Sequence, residues 1–345
     1  MATLQISNSG ELTRMHADAL RTVSLWAAIL VLSGCGGGGG DAPTQEGVAG
    51  REQPLLINAP LDPGHKFDVG ICKGSLVPAG QPSAGTCAGG SEACSGTLIA
   101  PNVILTARHC VSNIEFAADF CESRFVEALP GQTLVTTSSS VLVGTPKWRG
   151  VRKEFFPTED RICAGDLALL VLTEAIPTRE ARPVAVNLRR DFAARPPQNV
   201  AIVGRGLIDM VVDLSTFDLT TVQTGDLRRR VLENIPFECA TNDPAAPCNL
   251  VDFFSPPSNT FASPPSYLVI GPSVLAGDSG AGIFDQTSFN GTQPKVIGVV
   301  TFLTIGQDGR TNHDLVSRLD THADFIRGVL RKHSPETREV EDSTY

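Results

Sequence analysis

The chain has 345 residues, 41% hydrophobic and 19% charged, enough length and apolar content for one large or two medium folded units. Its 28 Lys and Arg against 37 Asp and Glu leave a net charge of −9 without any basic stripe, which excludes a nucleic-acid-binding protein. Nine cysteines with no Cys-x-x-Cys pair speak against a metal site and for an exported, disulfide-bonded chain.

In chain order, the first element is an apolar run from Val23 to Leu32, preceded by Arg14 and Arg21. At roughly ten residues it falls short of the about 20 that a bilayer span needs and suits the core of a signal peptide. It ends in Leu32-Ser33-Gly34-Cys35, which resembles a bacterial lipobox. That resemblance implies diacylation of Cys35, attachment to a membrane through the lipid, and an outer-membrane destination in a Gram-negative host. An ordinary signal peptide with an incidental Cys35 is the alternative, and translation from Met1 or from Met15 stays open. Residues 1–34 therefore read as a lipoprotein signal peptide. Residues 35–55, glycine-rich and then polar without periodicity, read as a lipidated flexible tether or propeptide. Residues 56–332 form one domain and 333–345 a charged, disordered tail. Turn signals recur through the domain every ten residues or so, a texture of many short strands.

Three segments of this domain carry chemistry. In Cys94-Ser95-Gly96-Thr97-Leu98-Ile99-Ala100-Pro101-Asn102-Val103-Ile104-Leu105-Thr106-Ala107-Arg108-His109-Cys110, two β-rich runs flank a Pro-Asn turn, predicting a hairpin with His109 just past its second strand. A Cys94–Cys110 bridge would pin the backbone that carries the imidazole, as a general base requires. Alone, His109 would read as a surface histidine at a strand end. Asp166 leads directly into the apolar run Leu167-Ala168-Leu169-Leu170-Val171-Leu172. A carboxylate at the mouth of a buried strand is costly without a partner, and an imidazole N–H is such a partner. Alone, Asp166 would read as a turn residue. In Gly277-Asp278-Ser279-Gly280-Ala281-Gly282, three glycines let the backbone turn tightly and aim successive N–H groups at one point. In acyl transfer, the Gly277 and Ser279 amides would be the oxyanion hole.

Taken together, these segments resemble the chymotrypsin/trypsin family of serine proteases, from about Leu56 to about Leu330. The order His, Asp, Ser is the family's, and Ala281 breaks the Gly-x-Ser-x-Gly pattern of lipases and esterases. The resemblance implies an all-β fold of two packed six-stranded antiparallel Greek-key barrels with a C-terminal helix over His322–Lys332. Val200–Gly206 and Leu227–Arg230 would open the second barrel. It also implies a catalytic triad of His109, Asp166 and Ser279, polypeptide substrates, a monomer, and no metal or other cofactor. The lipobox suits an exported bacterial member, lipid-anchored or secreted. A catalytically silent relative serving as a surface binding module is the rival reading.

Setting Cys35 aside leaves eight cysteines, paired as Cys94–Cys110, Cys121–Cys163 (which ties a loop to the segment before Asp166), Cys72–Cys87 and Cys239–Cys248. The family's bridge beside the nucleophile is missing, because Leu275 stands in its place. Leu56-Ile57-Asn58-Ala59 resembles the family's mature N-terminus, so cleavage before Leu56 or Ile57 would free an amino group to pair with Asp278. In the substrate pocket, Ser273 occupies the base and Thr301, Phe302 and Leu303 form a wall, Leu303 narrowing the entrance. Asp314 stands where glycine is usual, which implies Arg or Lys before the scissile bond. A water-facing loop aspartate and an apolar pocket are the alternatives.

Overall fold

The computed structural model describes residues 59–88, 93–117, 120–126, 133–188, 195–213, 218–223, 227–241, 266–305 and 311–334. Cys35, Leu56, Ile57 and Cys248, with the segments expected to be a signal peptide and a tether and nearly all of the expected tail, lie outside the described residues.

The first barrel is built from β1 (Asp68–Lys73), β2 (Ala93–Ala100), β3 (Val103–Thr106), β6 (Thr133–Thr136), β7 (Trp148–Phe155) and β8 (Ala168–Leu172), with a small side hairpin of β4 (Asn113–Glu115) and β5 (Arg124–Val126). Its hydrogen-bonded order is β1-β2-β3-β8-β7-β6, closing from β6 back to β1. Closure leaves no open edge, and the alternate residues of each strand fill the interior. All five residues of β8 are buried, because one face looks into the barrel while the other is covered from outside.

After β9 (Ala185–Val186), the second barrel comprises β10 (Asn199–Gly204), β13 (Arg230–Ala240), β14 (Tyr267–Ile270), β15 (Gly282–Asp285), β16 (Lys295–Ile305) and β17 (Thr311–Arg318). Pairings run β10-β13-β14-β17-β16-β15, and β15 returns to β10 with Val203 opposite Gly282. Strand for strand this is the order of the first barrel, so the expected pair of Greek-key barrels is present. Two features depart from the sequence reading. A hairpin of β11 (Asp209–Asp213) and β12 (Asp218–Gln223) interrupts the second barrel's first two strands. As a result β13 begins only at Arg230, and Leu227–Arg229 lead into it. In addition β9 lies parallel to β16, with Ala185 opposite Lys295, so the connection between barrels adds a strand to the second.

Single helical turns lie at α1 (Ile162–Gly165) and α2 (Gln286–Phe289), the latter capped where Asp285 accepts the Ser288 N–H at 2.9 Å. The C-terminal helix α3 (Ala323–His333) buries Ala323, Ile326, Val329 and Leu330, one apolar stripe. That stripe belongs to a core containing Leu170 and Leu172 of the first barrel. Asn102 Nδ2 donates to the His333 carbonyl at 3.0 Å, so the end of the chain ties the two halves together.

Between the barrels the packing is partly apolar, with Val69 and Leu98 sharing one cluster with Ala201, Val203 and Phe284. It is also ionic. Asp68 Oδ2 accepts Arg205 Nε at 2.7 Å and Arg229 Nε at 3.2 Å, and all three residues are buried. Burial pushes the Asp68 carboxyl up, and the charges and hydrogen bonds of Arg205 and Arg229 oppose it. Arg205 is pushed down to about 10, mainly by burial, and so remains a cation at neutral pH.

Candidate active site

His109 sits in a single 3-10 turn, Arg108–Cys110, immediately after β3. Cys94 of β2 is bonded to Cys110, so the hairpin is stapled at the point where the imidazole leaves it. A ring nitrogen of His109 and the two sulfurs lie within 4.8 Å of one another; the sulfurs are joined as a disulfide and hold no thiolate for a metal. From the end of α1, two residues before β8, Asp166 reaches across. Its Oδ2 lies 2.8 Å from His109 Nδ1, and its Oδ1 accepts the His109 backbone N–H at 2.9 Å. Both oxygens of this buried carboxylate are thus engaged, and the ring is oriented with its Nε2 away from Asp166.

The turn before Asp166 is tight. A Cβ on Gly165 would come within 2.1 Å of the Glu159 carbonyl oxygen. That same carbonyl accepts Arg108 Nη1 at 3.1 Å, and the Arg108 guanidinium lies 4.8 Å from the Phe125 ring centre and 4.5 Å from that of Phe156. Cys121 is bonded to Cys163 within this region, and Cys72 to Cys87 in the loop after β1. Cys239 is also disulfide-bonded, and its expected partner Cys248 lies outside the described residues.

Ser279 belongs to the second barrel, in the loop before β15, and is partly exposed. Among the described residues its Oγ makes no hydrogen bond, to His109 or to any other group; contacts of this kind tighten when substrate binds. The loop backbone is closely held. Leu207 N–H donates to the Ala276 carbonyl and Ala281 N–H to that of Asp278, both at 2.8 Å. Asp278 N–H donates to Leu275 and Gly280 N–H to Val300. The Gly277 and Ser279 amides donate to nothing among the described residues. These are the two amides assigned to an oxyanion hole, and Gly277 adopts φ +98°, which a side chain would resist.

Asp278 is fully buried. Gly206 N–H donates to its Oδ1 at 2.6 Å and Leu275 N–H to its Oδ2 at 3.0 Å. A Cβ on Gly204 or Gly206 would come within 2.3 or 2.1 Å of this carboxylate, so those glycines shape its cradle. Burial pushes its pKa up to about 7, the backbone amides of Leu275, Gly206 and Arg205 opposing.

Asp314 lies on β17, opposite Ile270 and Leu303, with no exposed surface. A water-facing loop position is therefore corrected: neighbouring strands cover the side chain on both sides. Its Oδ2 accepts Ser273 N–H at 2.6 Å, Ser273 Oγ at 2.7 Å and Val274 N–H at 3.0 Å. Its Oδ1 is buried without a hydrogen-bond partner among the described residues. Burial holds its pKa well above the usual carboxylate range. Thr301 Oγ1 donates to the Leu315 carbonyl at 2.9 Å, and the Phe302 ring stacks on His109 with centroids 5.9 Å apart.

Two barrels joined at a His–Asp pair and a glycine-rich serine loop set the context for comparison with known proteins. A model of the trypsin family matches residues 76–249, about half of the chain. The chain belongs to the trypsin family. The matched stretch contains His109 and Asp166 and ends before Ser279. Comparison with curated proteins gives no match. Motifs did not mark Ser95, Asp68, Arg205 or Arg229. The one available signal was an arginine closing the apolar run Val200-Ala201-Ile202-Val203-Gly204, where a charge demands a buried partner.

A pH dependence follows for the uncleaved chain. The folded state holds the Asp278 proton more tightly than the unfolded chain, with its pKa raised from 3.8 to about 7. Its share of stability is therefore greatest below about pH 4 and declines as pH rises towards 7. Urea titrations at acidic and at mildly alkaline pH should show the parent losing more stability over this interval than Asp278→Asn. Equal losses would contradict the assignment.

Proposed function

We propose that this trypsin-family chain is an active serine endopeptidase, with His109, Asp166 and Ser279 as its triad. The observation that carries the reading is the 2.8 Å His109–Asp166 contact beside a serine loop whose two free amides flank the nucleophile. His109 takes the Ser279 hydroxyl proton as Oγ attacks the peptide carbonyl, and Asp166 stabilises the resulting imidazolium. The carbonyl oxygen, now anionic, is received by the Gly277 and Ser279 N–H groups. His109 then protonates the leaving amine, the C–N bond breaks, and water clears the acyl-enzyme by the reverse route.

Asp314 supports a substrate class. Among the described residues its buried Oδ1 lacks a partner and no cation offsets its burial. An Arg or Lys side chain entering between Ser273 and the strand wall of Thr301, Phe302 and Leu303 would supply both the charge and the missing donor. The same logic supports activation by cleavage before Leu56 or Ile57. Ala59 is buried and its carbonyl accepts Arg230 Nη1 at 2.8 Å, so the segment is docked three residues after Leu56. A freed ammonium would give Asp278 its cation, and the pH dependence described for the uncleaved chain would then disappear.

Disulfides fit an oxidising, extracellular compartment, and no helix among the described residues is long and apolar enough to cross a membrane. We assign residues 1–34 to a lipoprotein signal peptide, 35–55 to the lipidated tether, 56–332 to the protease domain and 333–345 to a tail, although α3 runs to His333. Fractionation tests the anchor: the parent should carry fatty acid and sediment with membranes, and Cys35→Ser should do neither. Membrane retention of unlabelled Cys35→Ser would refute it.

Ser279→Ala should fold normally and lose peptide hydrolysis by several orders of magnitude. Retained activity, or failure of the parent to react with a serine-directed phosphonyl fluoride, would refute the triad and favour a silent binding module. For specificity, a peptide library should show cleavage after Arg and Lys by the parent and its loss in Asp314→Ser. Cleavage after Phe or Leu, unchanged by the substitution, would sink the pocket assignment.

A further inference from the structure

We infer that Ser95 is a positioning residue for acyl transfer, a first-barrel hydroxyl that sets the peptide planes of the oxyanion loop in the second barrel. The inference rests on Ser279 being the nucleophile and adds a residue outside the triad and the hole. Ser95 lies on β2 beside Cys94 and has no exposed surface. Its backbone N–H donates to the Ser279 carbonyl at 2.8 Å, and its Oγ donates to the Gly277 carbonyl at 3.0 Å. The same Oγ accepts the Arg205 backbone N–H at 3.1 Å. A hydroxyl has one proton to give, so the Arg205 amide on its lone pair directs that proton to Gly277.

The geometric consequence follows from peptide planarity. In a trans peptide, N–H points opposite to the C=O of its own plane. The Gly277 N–H is therefore aimed by the Ala276 carbonyl, held by Leu207, and the Ser279 N–H by the Asp278 carbonyl, held by Ala281. The plane between them carries the Gly277 carbonyl, which Ser95 Oγ holds. The plane after them carries the Ser279 carbonyl, which Ser95 N–H holds. One residue thus holds the carbonyl end of both alternate planes, whose amide ends, Asp278 N–H and Gly280 N–H, go to the Leu275 and Val300 carbonyls. The intervening plane pivots at Gly277, where no Cβ restricts rotation. Without the hydroxyl, that plane keeps only the Asp278 N–H bond to Leu275 at 3.0 Å, and its tilt about that bond shifts the Ser279 amide out of line with that of Gly277.

Arg205 makes the arrangement rigid. Its guanidinium holds Asp68 through Nε at 2.7 Å and the Asp68 carbonyl through Nη2 at 3.0 Å, both in the first barrel. The backbone amide that orients Ser95 is thereby tied to the barrel on which Ser95 sits. Thr106 Oγ1 completes the seat by donating to the Ser95 carbonyl at 2.8 Å.

Ser95→Ala and Ser95→Gly remove the hydroxyl, keep the amide and add no bulk. Each should lower kcat about 10- to 100-fold, less than the 10²- to 10³-fold loss expected for a direct oxyanion donor, with KM nearly unchanged. Affinity for a peptide boronic acid, which becomes tetrahedral on Ser279, should fall in parallel with kcat. Affinity for the same peptide as its carboxamide should not. Unchanged kcat, a loss confined to KM, or equal weakening of boronate and carboxamide would overturn the inference. So would loss of folding in both variants, because Ser95 would then be purely structural. Phosphonyl fluoride labelling of the parent separates this from the reading beneath it: an unlabelled parent overturns both, whereas a labelled parent with kcat intact in Ser95→Ala overturns this inference alone.

Discussion

A carboxylate between two guanidiniums, buried where the barrels meet, is the interaction on which the site's assembly depends. Asp68 belongs to the first barrel, while Arg205 and Arg229 lie at the ends of adjoining stretches of the second. An ion cluster of this kind adds little net stability over an apolar contact, but leaving one member unpaired costs about 3–5 kcal/mol. Its effect is therefore on geometry more than on depth of the energy well: the barrels must meet in the one register that keeps every charge paired. Arg205 transmits that register directly. Gly204 and Gly206 on either side cradle Asp278, and the Arg205 amide touches Ser95.

Three of the buried aspartates, Asp166, Asp278 and Asp314, differ chiefly in what faces them. Asp166 has an imidazole on one oxygen and a backbone amide on the other, so its charge is matched where it sits. Asp278 has two amides, and the neighbouring charge of Asp68 adds to the burial that raises it. Asp314 has three donors on one oxygen and none on the other, and burial dominates. On the proposed reading, these last two acids wait for different cations, a freed N-terminus and a substrate side chain. Keeping a buried acid without its cation costs stability that returns when the cation binds, which couples folding, activation and recognition.

The fold and the centre of the site were legible because their signals are local. His109 follows a hairpin written in contiguous residues, Asp166 opens a continuous apolar strand, and the Gly-Asp-Ser-Gly turn needs its glycines within four positions. What stayed hidden is long-range. Ser95 meets Arg205 and Gly277 only after two barrels have closed and docked, and nothing in Cys94-Ser95-Gly96 announces a hydroxyl aimed at another domain half. The β11–β12 hairpin was missed because its residues carry no turn motif of the kind that marks Pro101-Asn102, and β9 because two residues give no period. Asp314 was open to two readings for a related reason: strand register across a turn-rich stretch is settled by pairing with Ile270 and Leu303, not by composition.

The same contacts explain which positions around the nucleophile are confined to glycine and which accept a side chain. Gly280 adopts φ +83°, and a Cβ there would strike Thr106 Oγ1 at 2.1 Å and the Ser95 carbonyl at 2.2 Å. Gly282 is equally confined, since a Cβ would meet Thr97 Oγ1 at 2.4 Å. Both positions face β2 and β3, so the approach of the first barrel dictates glycine. Ala281 lies between them and faces the opposite way, its methyl packed among Val200, Ile202 and Ile283 in the second barrel's own core. Alanine there adds apolar contact without touching the docking surface. Leu275, where a bridging cysteine is usual, is likewise buried, and its amide still holds Asp278. Position by position, the motif is constrained by which barrel each residue faces.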